Sequence, residues 1–136
     1  MTYEELVEKA RELFSKADVS GIDQHVAYQF NITGEAEGAF YLEVAGGEVH
    51  VEPYEYFDRD ALFTTSAETL IKMGTGELDP MWAFTQGKVW LDGSIEKALL
   101  LKDISASLKM QMRPEAKAQK ATAKKAVKKK SGYQRT

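Results

Sequence analysis

Apolar residues recur every three or four positions from the start of the chain. Leu6, Val7, Ala10, Leu13, Phe14 and Ala17 fall on one face of a helix. Thr2 followed by Glu5 forms a capping box, so the spacing predicts a helix that starts there. At Val26 the period changes to two. Val26, Tyr28, Phe30 and Ile32 alternate with Ala27, Gln29 and Asn31, the pattern of a strand with one buried face. Phe40, Leu42 and Val44 repeat it, Gly46-Gly47 supplies a tight turn, and Val49 and Val51 continue it, giving a three-strand meander. Pro53 ends the pairing, and a fourth extended run is expected over Arg59 to Thr65. Ser66 can cap a short helix carrying Leu70, Ile71 and Met73, with Gly74 as its expected stop.

The next stretch, Gly76 to Gly93, concentrates Met81, Trp82 and Phe84 between a proline and a Gly-Lys pair. Asp79 is placed as a side-chain N-cap, and Pro80 at the first helical position loses nothing by lacking an N–H. Gly87 closes the helix. Such a helix, about 10 Å long, does not hold together alone in water and must be pinned by what its side chains touch. Lys88 to Asp92 reads as a fifth strand with Val89 and Leu91 on one face and Trp90 on the other. Gly93 turns the chain, and Ser94 caps a last helix bearing Ile95, Ala98, Leu99 and Ile104, expected to run to Met112 before Pro114. The fold class is α+β, an antiparallel-rich sheet covered on one face by helices.

The chain has 136 residues and a net charge of -3, but that balance hides a division. Lys109 to Thr136 holds ten basic residues against one acidic, a net +9, while the preceding residues hold eight basic against twenty acidic, a net -12. Residues 1–112 therefore read as one acidic domain and 113–136 as a Lys/Ala-rich, low-complexity tail expected to be disordered when free. The tail has three readings: docking on an anionic membrane surface, nonspecific nucleic-acid binding, or a solubilising segment folded over the acidic body. There is no cysteine, which excludes disulfides and thiolate chemistry. The acidic first residues lack a signal-peptide pattern and no run is long enough to span a bilayer, so the expected location is cytoplasmic.

Catalytic and metal chemistry find no footing in the spacing. His25 and His50 fall on the polar phase of their strands as surface residues, without a second ligand at metal-site spacing. Glu52, Glu55, Asp58 and Asp60 lack the loop order of a calcium site and read as a solvated loop. Gly74-Thr75-Gly76 follows a helix rather than a strand, unlike a phosphate loop. No cofactor or metal is expected, and no enzyme.

Gly76, Leu78, Pro80, Ala83, Phe84, Gly87, Lys88 and Gly93 keep the spacing G-x-L-x-P-x-x-A-F-x-x-G-K followed by a strand and a glycine. In this the chain resembles the sterol carrier protein type-two domain family. Weaker matches run back through Asp60-Ala61, Ser66 and Leu70, then Leu42 and Val44, to Phe30 and Ile32. The resemblance implies a five-stranded mixed, mostly antiparallel sheet with helices on one face enclosing an apolar tunnel. It also implies non-enzymatic binding or carriage of a hydrophobic molecule: a fatty acid, an acyl-CoA, a sterol-like or a quinone-like lipid. The implied ligand-binding set is Met73, Leu78, Met81, Trp82, Phe84, Gln86, Leu99 and Leu100. Gln86 is placed at a ligand head group, or simply near a helix end. Of Leu99 and Leu100, one is expected on the sheet and the other on the pocket. Read without the resemblance, Met81, Trp82 and Phe84 are either ordinary core or the wall of a pocket. The alternatives to carriage are an accessory module presenting lipid substrates within a biosynthetic complex and a nucleic-acid-associated protein driven by the tail. The family's peroxisomal address is not matched by Gln134-Arg135-Thr136, and the oligomeric state is left open.

Overall fold

A computed structural model of the chain describes residues 1–111. The expected tail, and Met112 as the last residue of the final helix, lie outside the described residues. The elements are α1 (Tyr3–Phe14), β1 (Val26–Thr33), β2 (Gly38–Ala45), β3 (Glu48–Glu52), β4 (Ala61–Ser66), α2 (Ala67–Gly74), α3 (Pro80–Thr85), β5 (Val89–Gly93) and α4 (Ile95–Gln111). The strands form one open mixed sheet in the order β3-β2-β1-β4-β5. Only β1 and β4 run parallel; the other three pairs are antiparallel.

The caps explain where the helices begin. Thr2 Oγ1 accepts from the Glu5 N–H at 3.1 Å, and the Glu5 carboxylate accepts from the Thr2 N–H at 2.8 Å. Ser66 Oγ accepts from the Thr69 N–H and Ser94 Oγ from the Lys97 N–H, each satisfying a donor that the helix cannot.

Two boundaries differ from the sequence pattern. β4 begins at Ala61 rather than Arg59, because Arg59 folds into the preceding loop and donates to Gln29 Oε1 and the Tyr56 carbonyl, both at 3.4 Å. Gly74 is not the stop of α2. It is the last helical residue, and an added Cβ there would press on Leu13 and Phe14 of α1, so its small size serves close packing. The left-handed residue that turns the chain is Gly76, with φ of +80°.

Alternation divides the sheet into two unlike faces. Tyr28, Phe30, Phe40, Leu42, Val44 and Phe63 point toward the helices and are fully buried. Phe30 stacks on Phe40 and Phe63, with centroids 5.3 and 5.4 Å apart, and Tyr28 meets Phe63 edge-on at 5.6 Å. From the helices, Leu6, Ala10, Phe14, Leu70, Met73, Leu101 and Ile104 close over this aromatic layer. Among the described residues, no helix lies on the other face. The β3–β4 connection, residues 53–60, crosses it instead as a strap. Among the described residues, no helix is long and apolar enough to cross a membrane.

Candidate functional site

α3 is positioned by three local devices. Asp79 Oδ1 accepts from the Met81 N–H at 2.7 Å and the Trp82 N–H at 3.4 Å, Pro80 occupies the first turn, and Gly87 follows the helix at φ +76°. Its six residues include neither an acid nor a base. Pro80 and Ala83 are buried and face the molecule, while the helix packs on β5 and α4. Upstream, Gly76 lies against the backbone of Lys109, and Ser105 Oγ, itself buried in α4, donates to the Met73 carbonyl at 2.7 Å. The α2–α3 connection is thus tied to the last turns of α4.

The expected ligand-binding residues separate into two sets. Met73 is fully buried, and Leu78, Met81 and Leu100 are partly buried against the core. Trp82, Phe84 and Leu99 are 59%, 42% and 46% exposed, and Gln86 is the exposed C-cap residue of α3. Leu99 and Leu100 do not divide between sheet and pocket as expected. The buried stripe of α4 is Ala98, Leu101, Ile104, Ser105 and Leu108, whose helical spacing leaves Leu100 at its margin and Leu99 turned outward. Ile95, four residues before Leu99, is 56% exposed. Large apolar side chains therefore emerge from both α3 and the first half of α4.

Among the described residues, the tunnel implied by the resemblance is not seen as an open channel. Four concavities are lined by other residues: one along the outer side of α1, one beside the turn at Gly46-Gly47, one between α2 and the N-terminus, and a polar one between Glu77, Asp79, Lys102 and Lys109. None of the four includes a residue of the expected binding set. Between the sheet and the helices, Phe30 stacks on Phe40 and Phe63, and Met73 is fully buried.

The first turn of α4 has its own anchor. The buried Tyr28 hydroxyl donates to the Lys97 carbonyl at 2.6 Å, and burial pushes that phenol well above its ordinary pKa. Asp60 accepts from the Ala27 N–H at 2.8 Å with one carboxylate oxygen and stands 3.6 Å from Lys97 Nζ with the other; its backbone carbonyl takes the Ser94 N–H. The sequence placed Asp60 in a solvated acidic loop. It instead joins β1, the start of β4 and the start of α4, because the parallel β1–β4 pair brings Ala27 and Asp60 together.

On the uncovered face the sequence reading missed a polar cluster. Glu43 Oε2 lies 2.7 Å from His25 Nε2 and accepts from the Tyr56 hydroxyl at 2.9 Å, and the Tyr56 ring meets Tyr41 edge-on at 5.0 Å. The hydrogen bond from His25 is the main reason the Glu43 carboxyl is held below its ordinary range. Burial first, then the bond to Glu43, pushes the Tyr56 phenol up to about 12. Gln29, buried on the same face, takes the Tyr56 N–H at 3.0 Å. The cluster fastens the strap to the sheet. Only the β1–β2 register, which pairs Ala27 with Glu43 and so leaves residue 25 diagonal to 43 on the same face, could have disclosed it. Among the described residues, no three His, Asp or Glu side chains gather to hold a metal ion.

Among the described residues, an open five-stranded mixed sheet with four helices defines an α+β fold. The chain belongs to the SCP-2 sterol transfer family, whose match covers residues 6–106. Among curated relatives, it is 31% identical over 77 residues to sterol carrier protein 2 of Arabidopsis thaliana, covering 54% of this chain and 63% of that one. It is 35% identical over 80 residues to hydroxysteroid dehydrogenase-like protein 2 of Rattus norvegicus, covering 57% of this chain but 15% of the relative, so it spans a small part of that multidomain protein. Among solved structures it is similar to sterol carrier protein-2 of Aedes aegypti in complex with the C16 fatty acid palmitate. The TM-score is 0.57 at 25% identity, over 80% of this chain and 98% of that one. The family is a lipid-binding one, and the fold itself is not catalytic.

Proposed function

We propose that this chain binds and carries a hydrophobic ligand of the fatty-acid class, and that α3 and the first half of α4 are the elements that admit it. The observation that carries this reading is the placement of Trp82, Phe84, Ile95 and Leu99, large apolar side chains left 42% to 59% exposed on two packed helices. Exposed apolar residues grouped on packed elements, unlike ones scattered singly, mark a ligand or interaction site. Support comes also from the palmitate-bound mosquito relative, whose fold this chain shares.

The mechanism is a partition. α3 has six residues and is held by one capping side chain and by packing, so it opens at low free-energy cost compared with the sheet. When it swings away, Phe84, Met81, Leu78 and Leu100 line the gap, an acyl chain enters between helix and sheet, and the helix recloses. The energy scale allows it. Burying about 14 methylenes at about 0.8 kcal/mol each yields about 11 kcal/mol, against an association cost of about 4 to 15 kcal/mol. At the low end of that cost about 7 kcal/mol remains, enough for micromolar binding without a charged anchor. Gln86, at the exposed end of α3, is placed to meet the polar head.

Native mass spectrometry of the purified protein beside a denatured, lipid-extracted control tests this. A released lipid, or uptake of palmitate by the apo protein, is the expected result. A protein that stays unliganded with palmitate, acyl-CoA and quinones would make Met81, Trp82 and Phe84 packing residues only. Phe84→Ala should weaken palmitate binding about tenfold while leaving the fold intact, since the side chain is 42% exposed and its loss opens no sealed cavity.

A further inference from the structure

We infer that the uncovered face of the sheet is the docking surface for the chain's own basic C-terminal segment. Charge is divided unevenly along the chain. Between Ala17 and Ile71 the sequence holds eleven acidic residues and one basic residue, Arg59. That stretch supplies β1 to β4 and the strap. On the uncovered face, Glu43, Glu48 and Glu52 share the outward phase of β2 and β3, Asp92 that of β5, and Glu55 and Asp58 are exposed in the strap. Arg59 is already engaged by Gln29 and the Tyr56 carbonyl. Every Lys or Arg of the described residues other than Arg59 and Lys88 lies in a helix or, as Lys16 does, just after one. The helical side therefore carries mixed charge, and the bare side of the sheet is predominantly acidic, with Arg11 of α1 reaching Glu52 at its β3 edge.

The same face presents aromatic surface. Phe57 and Tyr54 in the strap are 91% and 65% exposed, and Trp90, on the outward phase of β5, is 70% exposed. Acidic side chains interspersed with exposed aromatic rings suit lysine side chains, whose ammonium groups pair with carboxylates or sit over ring faces while their methylene stems cover apolar surface. Residues 112–136 carry nine basic residues against one acidic, with lysines at 117, 120, 124, 125, 128, 129 and 130. The length suffices. The last turns of α4 lie beside the end of α1, where Ser107 Oγ accepts from the Asp18 N–H at 3.0 Å. From there coil statistics for 25 residues give a root-mean-square span of about 25 to 30 Å, comparable to the width of a domain with a radius of gyration of about 13 Å. Docking in cis would neutralise the acidic face and leave α3 and α4 clear, so it is independent of the lipid reading.

The absence of cysteine makes the test clean: a single Ser131→Cys substitution in the full chain, carrying a nitroxide label, reports where the segment goes through broadening of amide resonances. Docking predicts loss of intensity for residues 41–58 and for Trp90 and Asp92, with the helices α1, α2 and α4 spared. The loss should vanish in about 1 M salt, where the Debye length falls to about 3 Å. It should also vanish when Lys124, Lys125, Lys128, Lys129 and Lys130 are changed to Gln, a variant that leaves every described residue untouched. Mixing isotope-labelled, spin-free chains with spin-labelled, isotope-free ones must abolish the broadening if the contact is within one molecule. Broadening that persists in the mixture, that falls on the helices, or that is spread evenly over the chain would overturn the inference.

Discussion

Gly76 and Gly87 hold nearly the same left-handed backbone, at φ of +80° and +76°, but in different surroundings. A Cβ at Gly87 meets nothing within 4 Å, whereas one at Gly76 collides with the backbone of Lys109 in α4. Gly87→Ala should therefore cost only the conformational strain, about 1 kcal/mol. Gly76→Ala should cost about 3 kcal/mol or more, because α4 must also move. Urea midpoints of the two variants check this, and equal losses would mean that the α2–α3 turn is not pressed on α4. The cluster at Glu43 makes a pH prediction. Its carboxyl is held below the ordinary range, so its contribution is complete at neutral pH and is lost as pH falls through that lowered value. The neutral Tyr56 phenol contributes fully below its ordinary range, and that contribution is lost as pH rises toward about 12. Glu43→Gln should cost about 1 kcal/mol at neutral pH and should flatten the acid limb of the stability profile. An unchanged profile would show that the strap is held by other contacts.

At the scale of elements, the sheet and α3 stand at opposite ends of a range of local stability. β1 is central, pairing with β2 over seven residues and with β4 over six, and five of its eight residues are buried in an unbroken run. α3 is six residues fixed by Asp79. Asp79→Ala should raise the opening frequency of α3 by removing a cap worth about 1 kcal/mol. Hydrogen exchange read by mass spectrometry should then quicken over residues 80–87 and stay unchanged in β1. If β1 quickens equally, α3 is part of the global unfolding unit and not a separate gate.

For the whole molecule, ligand binding and stability are linked. Palmitate that binds the folded chain alone should stabilise it by about 2.7 kcal/mol when present at 100 times its dissociation constant. The effect should shrink in Phe84→Ala at the same ligand concentration, by about 1.4 kcal/mol for a tenfold weaker affinity. A denaturant titration with and without the fatty acid measures both, and the absence of any shift in the parent chain would count against the carrier reading at the level of the intact protein.

The sequence by itself determined the elements and most of their ends. The change of period from 3.6 to 2 at Val26, the capping residues Thr2, Ser66, Asp79 and Ser94, and the glycines after the helices are local signals, written in neighbouring residues and satisfied by neighbouring hydrogen bonds. Residue types in one unbroken spacing, Gly76 through Gly93, also sufficed to indicate the family. Tertiary structure decided what depends on partners far apart in the chain. Which glycine turns the α2–α3 connection was settled by the approach of Lys109, and the role of Asp60 by the N–H of Ala27. The strap's attachment arose from a register that pairs Ala27 with Glu43 and brings His25 diagonally within reach of the Glu43 carboxylate. Exposure at Trp82, Phe84 and Leu99 was likewise invisible in the pattern, because an apolar side chain reads the same whether it faces a core or water, and only the packing of α3 and α4 fixes which it meets.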